Sequence, residues 1–413
     1  MPAIIVTYSL AYLDRSNYGF GVAAGMAATL HISGKQVSAL GSAFFLGYCL
    51  FQIPGTMLAR RVGVTRLVFL LLIGWGIFAA LTGVITSYPL LLIDRFLLGI
   101  SECLIFPAML LLLTNWFTRA ERSRANAMLI LGNPLTVLWM SLITGYLIQA
   151  YGWQKTFIIE GLPSVLWSAV WIFAVRDKPS DARWMLPAAA DSLERTLALE
   201  QTTVAPIGAV RKALVRGDVL LLAAQFFCWS LGLYGFVLWL PAIVHQGGAY
   251  SMGRTGLLAA IPYLAAVITM LGVAFISDRT QRRKSLVWPF LMISGFALLG
   301  SFVFAQHSFT LAFICLILAG ATMYAPYGPY WAIIPERLPR NVTAEVMALI
   351  NTCGALGGFA GTYFVGFLRS TTGSEKAGFL LMAVFLILSS LLTLCLPAAK
   401  PVSDRNLSRP GKI

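Results

Sequence analysis

Six ionisable side chains fall inside long apolar stretches of this 413-residue sequence: Asp14, Arg15, Asp94, Arg95, Glu102 and Glu160. An ionisable residue at the centre of a membrane helix costs about 2.5–3.5 kcal/mol on insertion scales, so it needs a partner or a function. Two interpretations follow. The six residues form structural ion pairs, or some of them line a pathway for a charged solute.

Arg15 is the first candidate for binding, because a planar guanidinium can hold both oxygens of a carboxylate. It lies beside Asp14 near the middle of the first apolar stretch. Tyr12 lies three residues earlier, on much the same face of a helix, and can offer its hydroxyl. We therefore predict a carboxylate site around Arg15, with a purely structural pair between Asp14 and Arg15 as the alternative.

Asp14 and Glu102 are the candidate proton carriers. Burial favours the neutral form of a carboxyl group and a nearby arginine favours the charged form, so a balanced group can load and release a proton. Such a group would exchange its proton with each side of the membrane in turn as a cavity opens. A permanently protonated acid or a static ion pair is the alternative for both residues.

The other three charges have less specific roles. Arg95 lies seven residues before Glu102, which puts it about 10 Å away along the helix axis, too far for direct contact. Asp94 and Arg95 are close to one end of their apolar stretch, so a gating pair is one interpretation and snorkelling to the membrane surface is the other. We interpret Glu160 as structural.

The elements that hold these residues are predicted to be membrane helices. The sequence is 58% apolar and only 11% charged, whereas soluble domains average about 25% charged residues. No Asp, Glu, Lys or Arg occurs from Ser285 to Pro335, a run of 51 residues, and one helical crossing needs about 20. We therefore predict an all-α polytopic membrane protein, in which the net charge of +14 does not indicate nucleic-acid binding.

Charge clusters and Gly, Pro and Asn residues divide the chain into twelve predicted spans. They cover residues 3–29, 37–59, 67–86, 89–115, 123–150, 154–175, 219–244, 254–276, 286–305, 309–335, 342–369 and 378–396. The domains that follow are an N-terminal six-helix bundle at 1–175, a linker loop at 176–218, a C-terminal six-helix bundle at 219–396 and a tail at 397–413. Residues 182–200 of the linker could form a surface helix.

The basic residues predict the orientation of the bundles. Of the 30 Lys and Arg residues, 23 lie in connections on one side of the predicted spans and 5 lie on the other. Positive residues concentrate in cytoplasmic loops. We therefore expect both termini and the linker loop to be cytoplasmic, in a multi-pass protein of the bacterial inner (plasma) membrane.

Two loops at equivalent places indicate that the halves are repeats. TMLARRVGVTR (56–66) follows the second span and AFISDRTQRRK (274–284) follows the eighth. A duplicated six-helix unit is an architecture of secondary transporters, with the binding site at the midplane between the halves.

Both loops resemble the signature of the major facilitator superfamily, roughly G-x-L-A-D-R-x-G-R-K. The first copy departs from it, because Thr56 replaces the leading Gly and Arg60 replaces the Asp. The second copy keeps Asp278 and Arg279, which the resemblance implies are gating or structural charges.

Longer motifs are similar to the anion:cation symporter family of that superfamily. They are YLDRSN (12–17), GISECLIFPAMLLLLTNWFTRAERSRA (99–125) and GWQKTFIIEGLPSV (152–165). Three others look most like the 2-ketogluconate transporter branch: SRANAMLILGNPLTVLWMS (123–141), YGFVLWLP (234–241) and MYAPYGPYWAIIPERLPRN (323–341). The resemblance implies proton-coupled uptake of a sugar acid by alternating access, with 2-ketogluconate favoured and tartrate or other hexonates as alternatives.

The resemblance also implies roles for individual residues. Arg15 matches the ligand of the substrate carboxylate, and Asp14 and Glu102 match the proton-coupling acids. Asn133 corresponds to a polar ligand position in the fifth span, and Asn351 matches an asparagine that binds hydroxyl groups of the sugar acid.

The aromatic residues of the seventh and tenth spans are candidate gates. Tyr234 in the seventh span and Tyr324 in the tenth lie beside glycines and prolines, which bend helices. We expect both tyrosines to contact the substrate. Aromatic packing at the membrane interface is the alternative.

Other functions find little support in the motifs. The sequence contains no GxxxxGK[ST], HExxH or GxSxG pattern, so neither ATP-driven transport nor a membrane-embedded enzyme is expected. The stretch LGNPLTVLW lacks the G-P-x-x-G-G pattern of proton-driven drug exporters, which disfavours export, whereas an organic-anion exchanger would use the same Arg15 site. We expect no cofactor, no metal and no nucleic acid, and partners limited to an organic anion, protons and the lipid bilayer, in a monomer.

Overall fold

Apolar helices make up the computed structural model, which describes residues 1–202, 213–248, 250–280, 282–305, 307–338, 340–372 and 376–397. No β-strand occurs within those ranges. The predicted tail lies outside them, apart from its first residue.

The amino-terminal half contains seven helices. They are α1 (Pro2–Ala23), α2 (Met26–Thr29), α3 (Gly34–Val62), α4 (Val64–Thr82), α5 (Tyr88–Glu102), α6 (Ile105–Trp116) and α7 (Arg119–Ala174). In the linker, a short 3-10 turn at Pro179–Asp181 precedes α8 (Pro187–Thr202), close to the surface helix predicted from the sequence.

The carboxyl-terminal half repeats the pattern. Its helices are α9 (Gly217–Gly248), α10 (Met252–Thr280), α11 (Trp288–Ala305), α12 (Phe309–Tyr324), α13 (Tyr327–Arg337), α14 (Arg340–Thr372) and α15 (Lys376–Cys395). A 3-10 turn at Lys284–Leu286 precedes α11.

These helices make twelve membrane crossings. Nine stretches of the described residues are long and apolar enough to span a bilayer. One of them, Met128–Ala174, holds 47 residues, about 70 Å of helix, and it breaks at Gly152, whose φ of 80° and ψ of 165° are not helical. It therefore accounts for two crossings. α1 and α3, with 22 and 29 residues, complete the twelve.

Two helices are interrupted at mid-membrane. α5 ends at Glu102 and α6 resumes at Ile105, so together they form the fourth crossing. α12 ends at Tyr324 and α13 begins at Tyr327 after Pro326, so together they form the tenth. Discontinuous helices at equivalent places in two repeats are a feature of transporter binding sites.

Because the number of crossings is even, Met1 and the end of α15 lie on the same side, here called the termini face; the other side is the far face. The halves touch at the far face. There the Gly253 amide donates to Gln149 Oε1 at 2.8 Å, joining α10 to α7. Ser42 and Thr362 hydroxyls, 3.1 Å apart, join α3 to α14.

The linker is fastened to the amino-terminal half at its first residues. Asp177 Oδ1 accepts bonds from the backbone N–H and the hydroxyl of Thr65, each at 2.7 Å. This carboxylate therefore caps the start of α4, where a negative charge is favoured by the helix dipole. Asp177 thus supplies an acid to the loop in which Arg60 replaces the aspartate of the signature.

Candidate functional site

A cavity lies at mid-membrane between the two halves. The space in it that can hold the centre of a water molecule is about 40 Å³. The lining residues are mostly aromatic or polar: Tyr8, Tyr12, Arg15, Phe45, Tyr48, Phe106, Ile130, Asn133, Phe226, Ser230, Tyr234, Tyr327, Trp331, Asn351, Gly354 and Ala355. The hydrogen bonds from Gly253 to Gln149 and between Ser42 and Thr362 lie on its far-face side, and Thr352 also donates to Gln52 between α3 and α14.

Arg15 projects from α1 into this cavity and forms an ion pair across the bundle. Its Nη2 lies 3.2 Å from Glu102 Oε2, and the two side chains are 9% and 0% exposed. The guanidinium carbon also lies over the rings of Tyr12 and Tyr48, 4.9 and 4.8 Å from their centroids. Arginine is suited to such stacking, which stabilises its charge away from water.

Glu102 lies at the interruption in the fourth crossing. It is the last residue of α5, and the helix resumes three residues later. One of its carboxylate oxygens faces Arg15, while Oε1 has no hydrogen-bond partner among the described residues. A carboxylate that has one oxygen paired with an arginine can release that ion pair when it takes up a proton.

A tyrosine from each half meets at the cavity wall. The hydroxyls of Tyr12 in α1 and Tyr234 in α9 are 3.4 Å apart. Asn133 Nδ2 in α7 donates to the Tyr12 hydroxyl, and Asn133 Oδ1 has no partner among the described residues although the residue is only 3% exposed. Asn351 in α14 lines the same cavity. The structure therefore brings together four of the predicted substrate ligands around Arg15.

The two halves contribute differently to the site. Tyr12 and Tyr234 are 222 residues apart and meet across the cavity. The charges of α1 have no counterpart in α9, because α9 contains no Asp, Glu, Lys or Arg after Asp218. Each half therefore contributes a tyrosine to the site, whereas α1 contributes charged residues and α9 does not.

Asp14 is not the partner of Arg15. It is 1% exposed and points into the amino-terminal bundle, and neither of its carboxylate oxygens has a hydrogen-bond partner in the described part of the chain. The sequence placed Asp14 beside Arg15, but consecutive residues of a helix point about 100° apart. Arg15 therefore pairs with Glu102 on another helix.

Asp94 and Arg95 are also buried, at 3% and 2% exposure. Asp94 Oδ2 accepts a bond of 2.8 Å from Thr82. The Arg95 guanidinium carbon lies 4.5 Å from the centroid of the Tyr18 ring, inside the bundle and away from the membrane surface. This position does not fit snorkelling, and a gating role for the two residues stays a prediction.

Glu160 connects three helical segments. Asn17 Nδ2 of α1 donates to its Oε2 at 3.0 Å, and the Thr144 hydroxyl donates to its Oε1 at 2.5 Å. The residue is 3% exposed and does not line the cavity. These contacts agree with the structural role that the sequence suggested.

Tyr324 was expected to contact the substrate, but its ring lies behind Tyr327 and not at the cavity surface. It is 1% exposed and does not line the cavity. Its ring is near-parallel to that of Tyr327, with centroids 5.9 Å apart, and Tyr327 faces the cavity. Residues three apart on a helix point about 60° apart, and of these two tyrosines Tyr327 is the one that lines the cavity.

The other predicted charges are distant from the cavity. The Asp278 side chain lies outside the described residues. Arg279 is exposed near the end of α10, with its guanidinium carbon 4.2 Å from the Phe275 ring centroid.

Sequence reasoning missed several lining residues. Tyr8 lies one helical turn before Tyr12, and this spacing was the only available signal for it. Tyr48 of α3 and Phe226 of α9 carry no local signal, because helix packing alone brings them to the cavity. No cluster of three or more metal-ligating side chains occurs in the part of the chain that the structure describes.

Two six-helix bundles that enclose a central cavity with a buried charge define the class of protein, a secondary membrane transporter. The chain belongs to the Major Facilitator Superfamily, whose family model matches residues 4–362. The protein is accordingly a transporter and not an enzyme.

Individual relatives agree with this assignment. A protein of Agrobacterium vitis named as a putative tartrate transporter is 31% identical, over 97% of this chain and 90% of its own length. A quinolone resistance transporter of Acinetobacter baumannii is 28% identical, over 95% and 92%. Among solved structures, an inward-facing bacterial homologue of the human lysosomal transporter Spinster has a TM-score of 0.76 at 18% identity, with 95% of each chain covered.

Proposed function

We propose that the protein takes up a hydroxylated organic anion together with protons, by alternating access. The Arg15–Glu102 ion pair at the cavity wall is the observation that carries this proposal. The relative named as a putative tartrate transporter supports an organic anion as the substrate. The motifs of the fifth, seventh and tenth crossings favour 2-ketogluconate, with tartrate and other hexonates as alternatives.

The ion pair suggests how protons and substrate are coupled. While Glu102 is ionised, its Oε2 pairs with Nη2 at one edge of the Arg15 guanidinium, at 3.2 Å. Protonation of Glu102 removes that competing charge, so the guanidinium becomes available to the substrate carboxylate. Asp14, buried nearby without a hydrogen-bond partner among the described residues, is the second proposed proton carrier.

The remaining polar groups would bind the body of the substrate. Asn133, Asn351 and the Tyr12 and Tyr234 hydroxyls can donate and accept hydrogen bonds without net charge, as a polyol requires. After binding, the halves would rock around this midplane site, separating at the far face in one state and at the termini face in the other.

The excess of basic residues on the termini face supports an orientation with both termini in the cytoplasm. The conformation described above would then be inward-facing. We propose the bacterial inner membrane as the location and a monomer as the working unit.

A proton trace in whole cells tests the proposal. De-energised, lightly buffered cells that express the protein receive 2-ketogluconate, then tartrate, galactonate and gluconate, while the external pH is recorded. We expect alkalinisation with at least one acid and its loss in Asp14→Asn. Asp218→Asn removes the same charge from an exposed pair with Arg216 outside the cavity, so it should behave as the wild type.

Two other outcomes would assign a different transport function to the protein. Exchange of labelled anion without proton movement would make the protein an organic-anion exchanger that uses Arg15 and keeps the carboxylates as structural partners. Proton uptake by energised cells on addition of a quinolone would favour proton-driven export, an alternative that the relative named for quinolone resistance supports.

A further inference from the structure

The cavity contains one positive charge. Among its described lining residues, Arg15 is the single ionisable side chain apart from the tyrosines. That charge is already shared with Glu102 at 3.2 Å. A carboxylate that enters the cavity therefore has one guanidinium available to it.

No second cation faces Arg15 from α9. Tyr12 meets Tyr234 across the cavity, with their hydroxyls 3.4 Å apart. After Asp218, α9 contains no Asp, Glu, Lys or Arg. The carboxyl-terminal wall accordingly offers amide, hydroxyl and aromatic groups, among them Asn351 and Trp331.

The surroundings of the cavity do not compensate a second negative charge either. Arg95 stacks on Tyr18 at 4.5 Å and is 2% exposed, so it does not reach the cavity. Asp14 and Glu102 lie close to Arg15 and are both acidic. An unpaired anionic group in such a buried place loses its hydration without a counter-charge.

An unsatisfied acceptor on a lining residue favours a hydroxyl. Asn133 lines the cavity, its Oδ1 has no hydrogen-bond partner among the described residues, and the residue is 3% exposed. The other unsatisfied group of the lining, Arg15 Nε, is a donor that suits the substrate carboxylate. A buried carbonyl oxygen accepts hydrogen bonds, so a hydroxyl donor from the substrate would satisfy it. A carboxylate oxygen at the same place would meet an acceptor and be repelled.

We infer that the site selects monocarboxylates and rejects dicarboxylates of the same size. This inference rests on the proposed function and narrows it: the substrate has one carboxylate on Arg15 and a neutral, hydroxylated remainder. Tartrate, which carries two carboxylates, is then a poor substrate of this protein although a relative is named for it.

A matched pair of acids tests the inference. Gluconate and glucarate share a six-carbon polyol chain and differ only at C6, which carries a hydroxyl in one and a carboxylate in the other. Purified full-length protein in proteoliposomes at pH 7.5 is assayed for inhibition of 2-ketogluconate counterflow by each acid, with benzoate and phthalate as a second pair. We expect each diacid to inhibit at least tenfold more weakly than its monoacid.

The outcomes separate this inference from the proposed function. Equal inhibition by glucarate and gluconate would overturn the monocarboxylate rule and leave organic-anion transport standing. Absence of counterflow, with no binding of any of the five acids by tryptophan fluorescence of the same protein, would remove both proposals.

A charge placed on the opposite wall gives a second readout. Asn351→Lys adds a cation to the carboxyl-terminal lining, and Asn351→Met adds a chain of similar length without charge. The ratio between glucarate and gluconate inhibition should fall at least threefold in Asn351→Lys and stay unchanged in Asn351→Met. An unchanged ratio in both folded variants would contradict the electrostatic reasoning.

Discussion

Replacing Gly256 by alanine should push the two halves apart at the far face. Gly256 in α10 lies against α7, where an added Cβ would be 3.0 Å from the Gly145 Cα and would also overlap the Ser141 carbonyl oxygen. Ordinary contacts of a Cβ begin at 3.4 Å. The neighbouring atoms are backbone, which cannot move aside as a flexible side chain can.

The expected size of the effect follows from this overlap. Overpacking by one methyl group costs about 1–3 kcal/mol. In the proposed cycle the halves separate at the far face in the alternate conformation, so the cost falls on the conformation described here alone. A difference of 1–3 kcal/mol changes the ratio of two states by about 5- to 150-fold, in favour of the state that is open at the far face.

Cysteine accessibility measures this shift. Ser38 is 0% exposed and faces α14 at the far face, so Ser38→Cys, in a background without the six native cysteines, reports opening there. Its labelling rate with a membrane-impermeant maleimide should rise at least fivefold in Gly256→Ala. Gly272→Ala lies on the same helix with nothing within 4 Å of its Cβ, and it should label as the parent does.

Equal labelling in Gly256→Ala and Gly272→Ala would refute the reasoning. It would mean that the far face does not separate between α7 and α10, or that the helices absorb the methyl group without moving. A second variant distinguishes the two, because a Cβ on Gly145 would lie 2.7 Å from the Met252 carbonyl oxygen. If Gly145→Ala is also silent, the contact between α7 and α10 is not part of a gate.

Three further predictions concern the buried polar groups. Arg15→Lys loses the bidentate contact with a carboxylate, worth about 1.5–3 kcal/mol. The KM for the transported acid should therefore rise about 10- to 100-fold. An unchanged KM would exclude Arg15 as the ligand. Glu102→Gln keeps the shape of the side chain without its ionisable group, so counterflow should persist while proton-driven accumulation is lost; retained accumulation would assign the coupling elsewhere. Asn17→Ala leaves a Glu160 oxygen without its donor at a cost of about 1–3 kcal/mol, which should lower the unfolding temperature in detergent and leave KM unchanged.

The crossings could be predicted from the sequence because their signal is local. The charge-free run from Ser285 to Pro335 holds α11, α12 and most of α13, and the division between the fifth and sixth crossings falls at Gly152, as expected from the punctuation of the sequence. The proline at 326 likewise indicated the bend in the tenth crossing. The interruption after Glu102 was not predicted, although Pro107 lacks the N–H group that would bond to the Cys103 carbonyl in a continuous helix.

The candidate site was harder to predict, because its contacts join distant parts of the chain. The residue types around Arg15 were expected, but the sequence named Asp14, one residue away, as its alternative partner, whereas Arg15 pairs with Glu102 on another helix. In the tenth crossing the sequence named Tyr324, whereas the neighbouring Tyr327 lines the cavity. Spacing along a helix constrains faces only while the helix is continuous.

The two halves carry unequal charge at the site, which suggests a different role for each. Arg15, Asp14 and Glu102, which the proposed mechanism uses for coupling, all belong to the amino-terminal half, whereas α9 contains no Asp, Glu, Lys or Arg after Asp218. In the proposed mechanism, one half therefore carries out energy conversion, and the cavity wall of the other half can vary independently of it. Substitutions on the carboxyl-terminal wall can alter which solute fits without altering the driving force. A new specificity can arise there while accumulation against a gradient is retained.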